Sequence, residues 1–266
     1  MSRRNFAAIL NSAGVDIARE YKRLIVLYYH SKHNGLTLDD ISKYYFHKCP
    51  FKGTCISLND FDETHGFNFP PDIVSSDIDT LITFCEYSCN MLNYIIKSGS
   101  YNAEITQYFS QIQKLIDIIG YEKHEKEGLI LFTPKSQAVN MAAQSVDYST
   151  SYKLIEYNHH SLRGDIEAKK NILLLFATQL EPRREELNSL NRSLCSDLFM
   201  LFNNLNIRHN NVEEGSASYK EVVAKMSGKE LEKWYDDTYM LCIEAFIALD
   251  NKTRREEIKQ LKDKLY

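Results

Sequence analysis

The stretch LNSLNRSLCSDLFMLFNNL, residues 187–205, decides the fold class. Its leucines fall at 187, 190, 194, 198, 201 and 205, so the intervals are three and four residues. That spacing places every one of them on a single face of an α-helix and on no single face of a strand. The same period appears on either side. Ile166, Leu173, Phe176, Ala177 and Leu180 form the later part of a helical stretch predicted over 150–180, which Pro182 must break or restart. Toward the C-terminus, Ser227-Gly228-Lys229-Glu230 reads as a capping box that opens a further helix. Its buried stripe is predicted as Leu231, Trp234, Thr238, Leu241, Cys242, Ala245 and Leu249. The charged tail 251–264 either extends that helix or frays.

The pattern is also helical in the N-terminal half. Phe6, Ile9, Leu10, Ala13, Ile17, Leu24 and Tyr28 predict a helix over 4–30, and Asn34-Gly35 a turn after it. Thr37 is a candidate N-cap, with Asp39 and Asp40 in the first turn that follows. Helices are predicted again at 76–97, 102–119 and near 137–146, with Gly120 closing the second of them. Between them, residues 48–73 hold Pro50, Gly53, Gly66, Pro70 and Pro71 among aromatic and acidic residues. They read as an irregular connection with a short extended pair. Such a loop either packs its aromatics over a core or carries a ligand or partner site.

One β signal stands out. Tyr121–Lys126 and Leu129–Thr133 flank Glu127-Gly128, and Pro134 follows, which predicts a small hairpin. The expected architecture is therefore mainly all-α. An N-terminal helical domain over 1–120 is joined through a hairpin and connector at 121–144 to a helical bundle at 145–266.

Composition sets outer limits. The chain has 266 residues, 44% apolar and 26% charged, with ten glycines and five prolines. That is enough chain for a sizeable core and too little Gly and Pro for long linkers. A net charge of -4 argues against a broad basic face for duplex nucleic acid. No apolar run reaches the roughly 20 residues of a membrane span. With no export signal read at the N-terminus, the expected location is the cytoplasm, with reduced thiols. Of the six cysteines, Cys85 and Cys89 sit in the apolar stripe of a helix with Leu81, Ile82 and Leu92. Core packing accounts for them better than zinc, because the usual short knuckle spacings are absent.

No Gly-rich phosphate loop, nucleophile elbow or paired His-Glu-x-x-His occurs. Two polar clusters remain. The first is Glu156-Tyr157-Asn158-His159-His160-Ser161-Leu162-Arg163-Gly164-Asp165, where a helix would put His159 and Arg163 on one face. The second is Asn203-Asn204-Leu205-Asn206-Ile207-Arg208-His209-Asn210-Asn211. Both lie at ends of long apolar helices, so a bundle can bring them together. Each also has a structural reading: Asn, Arg and His are favoured at helix ends and turns. Tyr157 and Tyr235 read as packing residues.

Together these clusters resemble the HEPN superfamily, and more narrowly the C-terminal domain of bacterial abortive-infection proteins, over roughly residues 145–250. The resemblance implies a phage-defence protein that cleaves RNA without metal or cofactor and acts as a homo-oligomer or with a defence-system partner protein. On it, His209 is the acid–base residue, Arg208 the phosphate clamp and Asn204 the orienting group, with His159 and Arg163 as second candidates. These types suit the chemistry, since His moves protons and Arg holds phosphoryl oxygens. The family motif places Arg four to six residues before His; here Asn204 occupies that place and Arg208 adjoins His209. A noncatalytic helical interaction module is the alternative, and a small-ligand sensor using the 48–73 loop a third.

Overall fold

The computed structural model describes residues 14–32, 35–70, 77–97 and 103–265. Residues 4–13 of the first predicted helix, Asn34 of the predicted turn, and Pro71 lie outside them. The protein is mainly α, with one two-stranded sheet among the described residues. It divides into two compact units, Met1–Phe132 and Thr133–Tyr266.

The first unit holds helices α1 (Ile17–Tyr29), α2 (Leu38–Tyr45), α3 (Leu58–His65), α4 (Ile78–Lys97) and α5 (Ala103–Ile118), then strands β1 (Tyr121–Lys126) and β2 (Leu129–Pro134). Thr37 caps α2 in a reciprocal box with Asp40. The predicted extended pair in 48–73 is instead α3. Ser57 accepts from the Asp60 amide to start it, Gly66 ends it at φ 71°, and Leu58 and Phe61 bury one face. Aromatic residues there masked a short capped helix. The aromatics do pack inward, with Phe67 and Phe69 against Tyr87 at 5.2 and 4.9 Å between ring centres.

Helix α4 is the centre of this unit. Leu81, Ile82, Phe84, Cys85, Ser88, Cys89 and Leu92 are all buried, so it is covered on most sides. Its remaining side turns three polar side chains on β2 and the turn that leads into it. Asn90 accepts from the Ile130 amide at 2.7 Å and donates to the Ile130 carbonyl at 2.8 Å. Glu86 accepts from the Phe132 amide at 2.6 Å, and Asn93 donates to the Gly128 carbonyl at 2.9 Å. Positions 86, 90 and 93 are one turn apart each, so one stripe of a helix serves the outer edge of the hairpin as a third strand would. The tight hairpin turn takes Glu127 and Gly128 at φ 52° and 88°, both left-handed as the two-residue turn requires.

The second unit holds α6 (Gln137–Gln144), α7 (Tyr148–Glu156), α8 (Ile166–Leu180), α9 (Arg184–Leu190), α10 (Arg192–Asn204), α11 (Glu221–Ala224) and α12 (Gly228–Leu265). Helix α12 runs 38 residues, and α6, α8, α9 and α10 all pack on it. Its buried stripe is Tyr235, Thr238, Tyr239, Cys242, Ile243, Ala245, Phe246 and Leu249. The helix is thus turned from the sequence expectation: Tyr235 is fully buried and Trp234 is 40% exposed, with the Lys233 ammonium over its ring.

Two predicted helices are each interrupted. The leucine stripe of 187–205 is two helices, because Asn191 leaves helical geometry (φ -150°, ψ 94°) and accepts from the Leu194 amide as an N-cap. Since both pieces keep the three-and-four spacing, the stripe hides the break. The 150–180 stretch also breaks, at Tyr157–Asp165. There His160–Leu162 form a single 3-10 turn before Asp165 caps α8 through the Ala168 amide. Pro182 sits in a 3-10 turn, Glu181–Arg183, that ends α8 as expected. The Ser227–Glu230 capping box forms, with bonds of 2.9 and 3.3 Å.

Asn90→Ala will remove both bonds to Ile130 and strand a partly buried amide and carbonyl. The expected loss is about 2 kcal/mol in chemical denaturation, against a fraction of that for an exposed substitution such as Tyr44→Ala.

Candidate functional site

The two polar clusters do not meet. His159 and Arg163 precede the first turn of α8, whereas Arg208 is ion-paired with Glu181, just past its last turn. At about 1.5 Å rise per residue, fifteen residues of helix put them roughly 20 Å apart.

The Asn-rich cluster is built as a turn. Helix α10 ends at Asn204, whose side-chain amide donates to the Met200 carbonyl at 2.8 Å. Asn206 follows at φ 57°. Buried Asn211 accepts from the Asn206 amide at 2.7 Å and donates to the Ser218 carbonyl at 2.7 Å. Leu205 and Ile207 are buried beneath it, and His209 is exposed. The asparagines therefore satisfy backbone groups of a non-repeating segment.

The first cluster opens on a cavity of about 290 Å³, lined by Tyr157, Asn158, His159, Arg163, Lys169, Asp236, Tyr239 and Met240. At its base lies the ammonium of Lys169, whose side chain is 6% exposed. It donates to Glu232 at 2.8 Å and Asp236 at 2.7 Å, and stands 5.3 Å from the Tyr157 ring centre. A lysine buried this far holds its charge only with such partners. The Tyr157 hydroxyl donates to the same Asp236 oxygen at 3.1 Å. Burial and that carboxylate push the phenol far above its ordinary range. Tyr157 stacks on Tyr239 with ring centres 4.1 Å apart and planes 8° from parallel. The Tyr239 hydroxyl donates to the Leu154 carbonyl at 2.6 Å and accepts from Asn158 at 2.7 Å, which orients that amide.

His159 is not helical; it caps the 3-10 turn. Its Nδ1 accepts from the Ser161 amide at 3.3 Å and lies 2.7 Å from the Ser161 hydroxyl. A backbone amide only donates, so the neutral ring carries its proton on Nε2. Arg163 is exposed at the rim, brought to the same cavity by the turn and not by a shared helix face. The Gly164 amide after it donates to Glu232 at 2.7 Å.

Lys169, Glu232 and Asp236 escaped the sequence reading. Their one local signal is the i,i+4 spacing of the two acids; the lysine lies 63 and 67 residues from them.

In the first unit, the 48–73 segment places Asp62 against Tyr87, whose hydroxyl donates to it at 3.1 Å. Burial, with Asp39 nearby, lifts the Asp62 carboxyl to about 6. A larger cavity, about 450 Å³, lies between α1, α2 and α5, with an apolar floor of Leu27, Leu38, Ile41 and Tyr108 below Arg23, Glu104 and two glutamines. Among the described residues its lining holds neither histidine nor a buried charge pair.

No helix among the described residues is long and apolar enough to cross a membrane. No protein-family model, curated protein or solved structure matches the chain.

Two carboxylates will give opposite pH signatures. The Gly164 amide and Lys169 hold Glu232 below the usual range, so its contribution exists above the unfolded value of about 4.3 and is lost as pH falls through the lower folded one. Glu232→Gln will lower Tm at pH 7, and the gap will close in acid. Asp62 is raised, so its contribution is full below about 4 and lost as pH rises through about 6. Asp62→Asn will raise Tm at pH 7.5, and that gain will vanish near pH 4.

Proposed function

We propose that the chain is a metal-independent endoribonuclease of the abortive-infection, HEPN-like kind, with its site at the Tyr157–Gly164 turn. The observation that carries this reading is the single cavity lined by His159, Arg163, Asn158, Tyr157 and Lys169. It unites a proton carrier, a guanidinium and an oriented amide in a space that admits a phosphate and its ribose. The resemblance that first suggested RNA pointed to Arg208 and His209. Arg208 lies with Glu181 at the far end of α8, so the phosphate-holding role is given to Arg163, which lines the cavity.

In this reading the 2′-hydroxyl oxygen of RNA attacks the adjacent phosphorus, and the bond from phosphorus to O5′ breaks. The 2′ proton goes to Asp236, the carboxylate that lines the cavity, and His159, entering the step as imidazolium with its Nδ1 proton on the Ser161 hydroxyl, delivers its Nε2 proton to O5′ and is left as neutral imidazole. Arg163 stabilises the charge that builds on the phosphoryl oxygens. Lys169 holds Asp236 in place. The products are a 2′,3′-cyclic phosphate and a 5′-hydroxyl.

A second reading, a noncatalytic interaction module, is favoured by one observation: the Asn-rich turn is occupied by its own backbone and by Glu181.

Purified protein incubated with total RNA in EDTA separates the two. The nuclease reading predicts fragments ending in cyclic phosphate. His159→Ala and Arg163→Ala will each slow their formation by about a hundredfold, while Arg208→Ala and His209→Ala leave it nearly unchanged. Loss of cleavage only in the second pair would move the site to the Asn-rich turn. RNA left intact by every form would give the interaction module the lead.

A further inference from the structure

Helix α12 does more than close the second unit. Toward its C-terminal part the Lys252 ammonium reaches Glu186 of α9 at 3.1 Å. The described side chains from Arg254 to Lys264 are all exposed, as is Leu265. At about 1.5 Å per residue this is close to 20 Å of helix whose described side chains all face solvent. Such a segment has little reason to remain helical unless something packs on it.

Its apolar residues say where. Ile258, Leu261 and Leu265 are 53%, 55% and 66% exposed. At about 100° per residue they fall within roughly 60° of one another, on the side opposite Leu249. The stripe therefore does not continue the core seam of Cys242, Ala245 and Leu249. Its spacing of three then four is that of the core positions of a heptad, with Ile258 and Leu265 at a and Leu261 at d. The same register puts Asn251 at the preceding a position, a polar choice that favours parallel pairs. Arg254, at the preceding d position, is drawn aside to Asp250 at 2.6 Å, so the dry seam begins at Ile258.

The flanking charges choose the occupant. Asp250 and Glu257 fall at g positions, Arg255 and Lys262 at e positions. In a parallel pair of identical helices, each g side chain meets the e side chain five residues later on the other helix. Asp250 then faces Arg255 of the second copy, and Glu257 faces Lys262 of the second copy. By symmetry each attraction occurs twice. An antiparallel pair would set Arg255 and Lys262 against each other and is repelled.

We propose that residues 250–265 form a parallel, in-register two-stranded coiled coil with a second copy of this chain. The seam is short, so the association is weak and rises with protein concentration. It is independent of the nuclease reading.

Sedimentation of the full chain over a range of concentrations tests it. The wild type will pass from monomer to dimer. Glu257→Lys, an exposed change that spares the fold, will raise the dissociation constant about tenfold, because two attractions become two repulsions. Glu257→Lys combined with Lys262→Glu will restore it. Ile258→Cys will form a disulfide between copies in oxidising buffer, as only the parallel register brings position 258 against itself; the six native cysteines are buried and will not. A chain that stays monomeric at every concentration overturns the proposal, whether or not another protein binds the stripe. A dimer indifferent to Glu257→Lys overturns it as well.

Discussion

A single ammonium group organises the second unit. Lys169 enters the space between α8 and α12 almost without exposure, where an unpaired charge would be prohibitive. Glu232 and Asp236 must therefore face it, which sets the rotation of α12 about its own axis at that point. With that rotation Tyr235 and Tyr239 go inward and Trp234 stays outward. The same two carboxylates then bind the turn above, through the Gly164 amide and the Tyr157 hydroxyl. His159 and Arg163 owe their shared cavity to this chain of bonds, since neither is held there by a regular helix.

That dependence explains which parts of the molecule could be read from sequence. Local signals were legible because they act locally. Thr37 and Ser227 cap the helices they precede, and Glu127-Gly128 takes the two left-handed residues its hairpin needs. Periodicity located most helices, but it is blind to a break that preserves the period, as at Asn191. It is equally blind to small rotations, which is how Trp234 was placed in the buried stripe beside Tyr235, although only Tyr235 is buried. Capped helices rich in aromatic residues, such as Leu58–His65, do not show their period in eight residues.

The candidate site was half legible for the same reason. His159 and Arg163 stood out as polar residues among apolar ones, but their juxtaposition was assigned to the wrong geometry. Lys169 carries no local signal that sets it apart from the other charged residues of its helix, Glu167 and Lys170. Nothing nearby in sequence reveals that two acids lie opposite it. The Asn-rich stretch had the reverse fate: its composition suggests chemistry, yet most of its polar groups are spent on closing a turn. Residue types that catalyse are also those that satisfy irregular backbone, and only their partners tell the two apart.

The stripe of Glu86, Asn90 and Asn93 along α4 has a consequence outside the folded monomer. A two-stranded hairpin has two open edges, and each is a template on which a stray extended chain can nucleate aggregation. Along β2 those amides and carbonyls are already engaged by side chains of a buried helix. The other strand, β1, has the sequence Tyr-Glu-Lys-His-Glu-Lys, which is densely charged. The apolar strand is thereby sealed on its outer edge and its neighbour carries the charge, which protects the protein from β-templated self-association at high concentration.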